Sequence, residues 1–200
     1  MTGILTLNAG SSSLKFGLYD SAPEPVLRWR GRALTGWAAT GVSFAAGGLL
    51  VLAFAPFDLY PVAPVALALW FALLRGCAPR ESFRHGYAFG LGFFGFGVTW
   101  VFNSLLIFGQ APWAVATVIT CAFVLLLALY PALLAWLAAR VAGKAGLVAW
   151  LLALAAGYVL LEGLRGWVLS GCPWLLLGPV LLESPARSWM PLGGESAAGL

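Results

Sequence analysis

From residue 34 onward the chain is a succession of long apolar runs separated by short breaks that carry proline or charge. The runs cover 36–54, 62–74, 85–108, 113–139 and 147–164, and another begins near Pro191. The first closes at Ala55-Pro56-Phe57-Asp58, where proline withdraws a backbone donor and punctuates a helix. A helix needs about 20 apolar residues to cross a bilayer. The second run has only 13, so it tilts little, thins the membrane or spans incompletely. Residues 1–33 differ in kind: an apolar stretch Ile4–Leu7, the polar run Ser11-Ser12-Ser13 and a basic end read as strand, turn, strand. The stretch is too short for a signal peptide and its charges follow it rather than precede it. The pattern predicts an all-α polytopic membrane protein, a helical bundle of about five spans plus a truncated sixth over 34–200, with a short non-membrane leader over 1–33.

Composition agrees and excludes much else. The 200 residues are 62% hydrophobic and 9% charged, against about a quarter charged in soluble domains, and the runs lack the alternation of outer-membrane barrel strands. A net charge of +4 carried by so few groups cannot line a row of phosphates, so no nucleic-acid partner is expected. The basic residues report topology instead. Arg28, Arg30 and Arg32 precede the first run, Arg75, Arg80 and Arg84 separate the second from the third, and Arg140 and Lys144 separate the fourth from the fifth. Alternate loops therefore hold eight basic residues, while Arg165 and Arg187 are the two on the other side. By the positive-inside rule an inner membrane protein with its N-terminus in the cytoplasm is expected. Trp37, Trp70, Trp113 and Trp167, near run ends, are expected to anchor at the interfaces.

Candidate chemistry is sparse. Cys77, Cys121 and Cys172 form no C-x-x-C, and His85 is the single histidine, so neither a disulfide framework nor a zinc site is expected, and no metal or cofactor. Cys172 lacks a histidine on its side of the membrane to raise its thiolate fraction. The third run sets Gly86, Gly90, Gly92, Gly95 and Gly97 among phenylalanines. Gly86-xxx-Gly90 suits close helix packing, and the alternative is a groove for an acyl chain walled by aromatic rings. Asn103 and Ser104 at its outer end line that groove or bond to neighbouring helices. The densest polar stretch runs from Glu162 to Trp174, in which Glu162 and Arg165 share a helix face and can pair.

Ala55-Pro56-Phe57-Asp58-Leu59-Tyr60-Pro61, then Gly92 to Val101 with Ser104, then Glu162 to Trp174 with Gly178, and finally Pro191-Leu192-Gly193 with Glu195 resemble apolipoprotein N-acyltransferase from about Leu34 onward. The resemblance implies a membrane bundle joined to a periplasmic nitrilase-like domain. That domain carries a catalytic Glu, Lys and Cys and moves an acyl chain from phospholipid, through a cysteine thioester, to the N-terminal cysteine of a lipoprotein. It would follow residue 200, so these residues are expected to bind and not to catalyse. Lys15 and Lys144, both cytoplasmic by the topology, cannot replace its lysine. The implied partners are a phospholipid acyl donor and an apolipoprotein acceptor, and the implied substrate-binding residues are Trp100, Ser104, Glu162, Arg165, Trp167, Pro173 and Trp174. Cys172 stands where the family commonly has an aromatic residue.

The leader resembles something else. Ile4-Leu5-Thr6-Leu7-Asn8-Ala9-Gly10-Ser11-Ser12-Ser13-Leu14-Lys15-Phe16 is similar to the start of acetate kinase, which implies phosphate and magnesium contacts at Asn8, Ser11 and Ser13. About 33 residues fall short of what folds unaided or encloses a transferred phosphoryl group. A composite chain with an inactive leader is expected. The competing readings are a non-catalytic membrane scaffold or channel and, remotely, an acetate kinase fragment.

Overall fold

The computed structural model describes residues 3–10, 13–20, 27–32, 36–141, 146–168, 171–180 and 184. In the leader, β1 (Gly3–Gly10), β2 (Ser13–Asp20) and β3 (Leu27–Arg32) form an antiparallel sheet in the order β1-β2-β3. Asn8 pairs with Lys15 and Gly10 with Ser13 across the first hairpin. The third strand is one more than the strand-turn-strand pattern predicts. The helices among the described residues are α1 (Gly36–Val51), α2 (Val62–Leu74), α3 (Pro79–Gly97), α4 (Trp100–Ile107), α5 (Trp113–Leu127), α6 (Leu129–Val141), α7 (Leu147–Arg165) and the single turn α8 (Leu177–Val180).

Among the described residues two stretches, Trp113–Val141 and Leu147–Arg165, are long and apolar enough to cross a membrane, and α3 with α4 makes a third if that bent pair is one span. The shorter α1 and α2 are apolar but fall below that length. The third apolar run is not one straight helix: α3 and α4 meet at 45°. Gly95 and Gly97 weaken the ladder there, and Leu175 presses its side chain against Gly97. The fourth run also breaks, at Ala128, because Pro131 has no N–H to return to Leu127 and the next bond, from Ala132 N to Ala128 O, stretches to 3.4 Å. Lys144, Arg187 and the run near Pro191 lie outside the described residues.

Helix α3 is the axis of the bundle, and its glycines face different neighbours. A Cβ on Gly86 or Gly90 would run into α6, at 2.8 Å from Ala132 Cα and 2.7 Å from Pro131 Cγ respectively. One on Gly92 would collide with Phe44 O of α1, and one on Gly47 of α1 with Phe89 O of α3. The small-residue reading of Gly86-xxx-Gly90 therefore holds, and these faces leave no room for a lipid chain. Because Gly86 meets Ala135 and Gly90 meets Ala128, α6 runs antiparallel to α3, which puts Arg140 and Arg84 at one end of the bundle. The start of α1 is at the same end, with Trp37 5.4 Å from the Arg84 guanidinium.

One anchor expectation is corrected. Trp37, Trp113 and Trp167 are exposed, but Trp70 is fully buried and stacked on Phe89 with centroids 4.1 Å apart. Ala63, Ala66, Trp70 and Leu74 form the inward stripe of α2, so helical period rather than nearness to the helix end decides where this indole points.

Candidate functional site

At the end opposite Arg84, α7 leads through Gly166 into a loop that returns over the α3–α4 bend. The loop is tied to the end of α7 by backbone bonds, Cys172 N to Arg165 O at 2.9 Å and Gly171 N to Val168 O at 3.0 Å. Gly171 has φ +85°, and a Cβ there would strike Gly166 O, so glycine is required to fold this loop tightly.

Two side chains hold the loop from beneath. Arg165 is 3% exposed; its Nη2 donates to Leu175 O at 3.3 Å, and its guanidinium lies 5.2 Å from the Phe94 ring. Glu162 Oε1 accepts from Leu177 N at 3.0 Å. Glu162 and Arg165, which share one face of α7, thus grip the backbone together at 175 and 177. Leu175 takes φ +58°, a conformation that costs a leucine about 1–3 kcal/mol and is sustained by this grip and by the seat of its side chain on Gly97. Beneath lies a cavity of about 20 Å³, lined by Phe93, Phe94, Tyr130, Tyr158, Glu162 and Arg165. It has room for one water and not for an acyl chain.

The grip delivers Trp174 to the surface. Its ring meets Trp100, the first residue of α4, edge to face with centroids 4.9 Å apart, and the two remain 53% and 42% exposed. Ser104 follows one turn along α4, half-buried, its carbonyl accepting from Phe108 N and Gly109 N. Pro173 is exposed beside Trp174, and Trp167 is 89% exposed. Of the residues singled out in the sequence, the structure brings Trp100, Pro173 and Trp174 onto one outer surface and puts Glu162 and Arg165 behind it. Cys172 is buried. Asn8 and Ser13 lie in the leader sheet, and Ser11 lies outside the described residues. Leu175 and Tyr158 were missed; Tyr158 sits one turn before Glu162, a spacing that carried the signal.

A larger hollow of about 390 Å³ opens between α2 and α7, lined by Pro64, Leu67, Phe71, Trp150 and Leu151 with Arg75 at its rim.

The family model of the apolipoprotein N-acyltransferase N-terminal domain matches residues 46–200. Apolipoprotein N-acyltransferase of Azotobacter vinelandii is 41% identical over 169 residues, which cover 84% of this chain and 32% of that protein. Its counterpart in Methylococcus capsulatus is 43% identical over 153 residues, 76% of this chain and 30% of that protein. In Vibrio vulnificus the figures are 41% over 148 residues, 74% and 29%. The chain thus spans about a third of the length of the curated relatives it matches.

Proposed function

Because the chain belongs to the apolipoprotein N-acyltransferase family, we propose that it forms the membrane part of such an enzyme. In this reading it binds a phospholipid acyl donor and presents it for transfer to the N-terminal cysteine of an apolipoprotein. The observation that carries this is the Trp100–Trp174 pair, two large rings left exposed on a surface that is otherwise braced from within. Aromatic rings at a membrane interface offer an apolar body to the acyl chain and a polar edge to the headgroup zone. Trp167, Pro173 and Ser104 flank that platform, and Glu162 with Arg165 positions it. The 200 residues supply binding and orientation. Acyl transfer through a thioester needs a thiolate, a base and an oxyanion stabiliser in one place, and buried Cys172 is not given that role.

Purified chain in vesicles, exposed to a phospholipid bearing a photoactivatable acyl chain, should be labelled near residues 100 and 174. Trp100→Ala with Trp174→Ala should reduce that labelling at least about fivefold, the loss of two aromatic contacts worth about 1 kcal/mol. Labelling that ignores both substitutions favours a non-catalytic scaffold.

The same reading has about five spans in a bacterial inner membrane, with the leader cytoplasmic. What supports it is the meeting of Trp37, Arg84 and Arg140 at one end of the bundle. A reporter fused after Asp20 should be active only in its cytoplasmic form; activity confined to the periplasmic form reverses the orientation.

A further inference from the structure

At the basic end of the bundle, the turn between α2 and α3 gathers three side chains of metal-ligand type. Cys77 precedes α3, Glu81 lies in its first turn and His85 one turn further; the spacing of four sets Glu81 and His85 on one face, and the turn brings Cys77 up to them. One ligand atom from each lies within 4.8 Å of the others. The sequence offered this as C-xxx-E-xxx-H, a pattern that a search for C-x-x-C and paired histidines passes over.

The state of His85 follows from its neighbour on α1. Ser43 Oγ gives its hydrogen to Ala39 O at 2.9 Å, so in the 3.4 Å contact between Ser43 Oγ and His85 Nδ1 the ring N–H donates. That assigns the lone pair to Nε2, which faces Glu81 Oε1 at 4.0 Å. An imidazole lone pair then confronts a carboxylate across a gap too wide for a hydrogen bond. A histidine whose far nitrogen donates to a fixed partner while the near one is bare has the arrangement of a metal ligand.

We propose that Cys77 Sγ, Glu81 Oε1 and His85 Nε2 bind one divalent metal ion of borderline softness, Zn²⁺ by donor type, with water completing a tetrahedron and Ser43 orienting the imidazole. Bonds of about 2.0–2.3 Å put tetrahedral ligand atoms about 3.5 Å apart, so separations of up to 4.8 Å contract by at most about 1.3 Å on binding. Two interactions give way. The Cys77 thiol now donates to Leu73 O at 3.1 Å, and burial with the Glu81 carboxylate pushes its pKa up to about 11. Metal uptake therefore breaks the S–H bond, forms the S–metal bond and releases one proton to solvent. Arg84, with Nη2 3.6 Å from Glu81 Oε1, yields its share of the carboxylate and keeps the Trp37 ring. The bound ion clips the α2–α3 turn to the first two turns of α3, which Ser43 joins to α1 through His85.

Cobalt(II) titrated into the purified chain in detergent tests this. The expected result is saturation at one equivalent, with a thiolate-to-cobalt charge-transfer band and strong visible bands of tetrahedral cobalt, all bleached by Zn²⁺. Cys77→Ser, a near-isosteric change at a half-buried position, should abolish the charge-transfer band. Ser43→Ala should weaken binding at least about tenfold, the usual cost of losing a histidine's outer partner. An absent charge-transfer band in the unmodified chain, the result for a simple His85–Glu81 ion pair, overturns the proposal. So does a band that survives Cys77→Ser, or affinity indifferent to Ser43→Ala.

Discussion

Gly92→Ala is expected to push α1 away from α3 and lower the unfolding midpoint in detergent, whereas Gly95→Ala, three residues along the same helix, is expected to raise it slightly. On propensity alone both changes stabilise a helix by about 1 kcal/mol. Packing separates them. A Cβ on Gly92 would meet Phe44 O and lie 3.0 Å from Gly48 N, atoms of the α1 backbone that cannot rotate aside as a side chain can. Gly47, across the same crossing, faces Phe89 O and lies 2.8 Å from Phe93 N, so the two helices touch backbone to backbone and yield only by separating. Overpacking costs about 1–3 kcal/mol where side chains repack, and a backbone obstacle belongs at the upper end. Around Gly95 nothing lies within 4 Å. The expected difference between the variants is about 3 kcal/mol, read as a shift in the midpoint for loss of helicity. Equal midpoints for the two would mean that α1 and α3 do not cross here.

The reach of the sequence shows in the same helix. That α3 carries glycines for close approach was legible from their density and from Gly86-xxx-Gly90, because small residues at helical spacing have few other uses in a bilayer. Which helix each glycine admits was not, since that depends on how α1 and α6 cross, and no local pattern encodes it. The same limit explains Trp70, whose nearness to a helix end suggested an interfacial anchor until the burial of Ala63 and Ala66 fixed the inward face. Helix breaks at Gly97 and Ala128 were hidden inside unbroken apolar runs, because hydropathy records what a segment dissolves in and not whether its ladder is continuous. In the site, Trp100 and Trp174 are 74 positions apart, and their contact rests on a positive φ at Leu175 that leucine rarely adopts. Glu162 and Arg165 were legible as a pair on one face because their spacing is local; that they hold a loop was not, because the groups they hold are backbone.

Arg165→Ala should be the most disruptive single change in the site, and more so than the double change Glu162→Gln with Arg165→Ala. Arg165 is almost wholly buried beneath the loop, where its guanidinium donates to Leu175 O and lies against the Phe94 ring. Truncation removes the packed stem, the donor and the positive charge one helical turn from Glu162. Removing one member of a buried charged set costs about 3–5 kcal/mol, much of it because the remaining charge loses its compensation. Neutralising Glu162 at the same time removes that penalty and leaves the cavity and the lost bonds, so the effects should couple by about 1–3 kcal/mol rather than add. The loop provides a second readout. With Leu175 O released, the strained φ at Leu175 has less to sustain it, and Trp174 should leave Trp100. Tryptophan emission compared in Arg165→Ala and Trp100→Phe backgrounds would register that separation. Additive effects on unfolding together with unchanged emission would show that Glu162 and Arg165 do not brace the platform, and would return them to direct contact with the substrate.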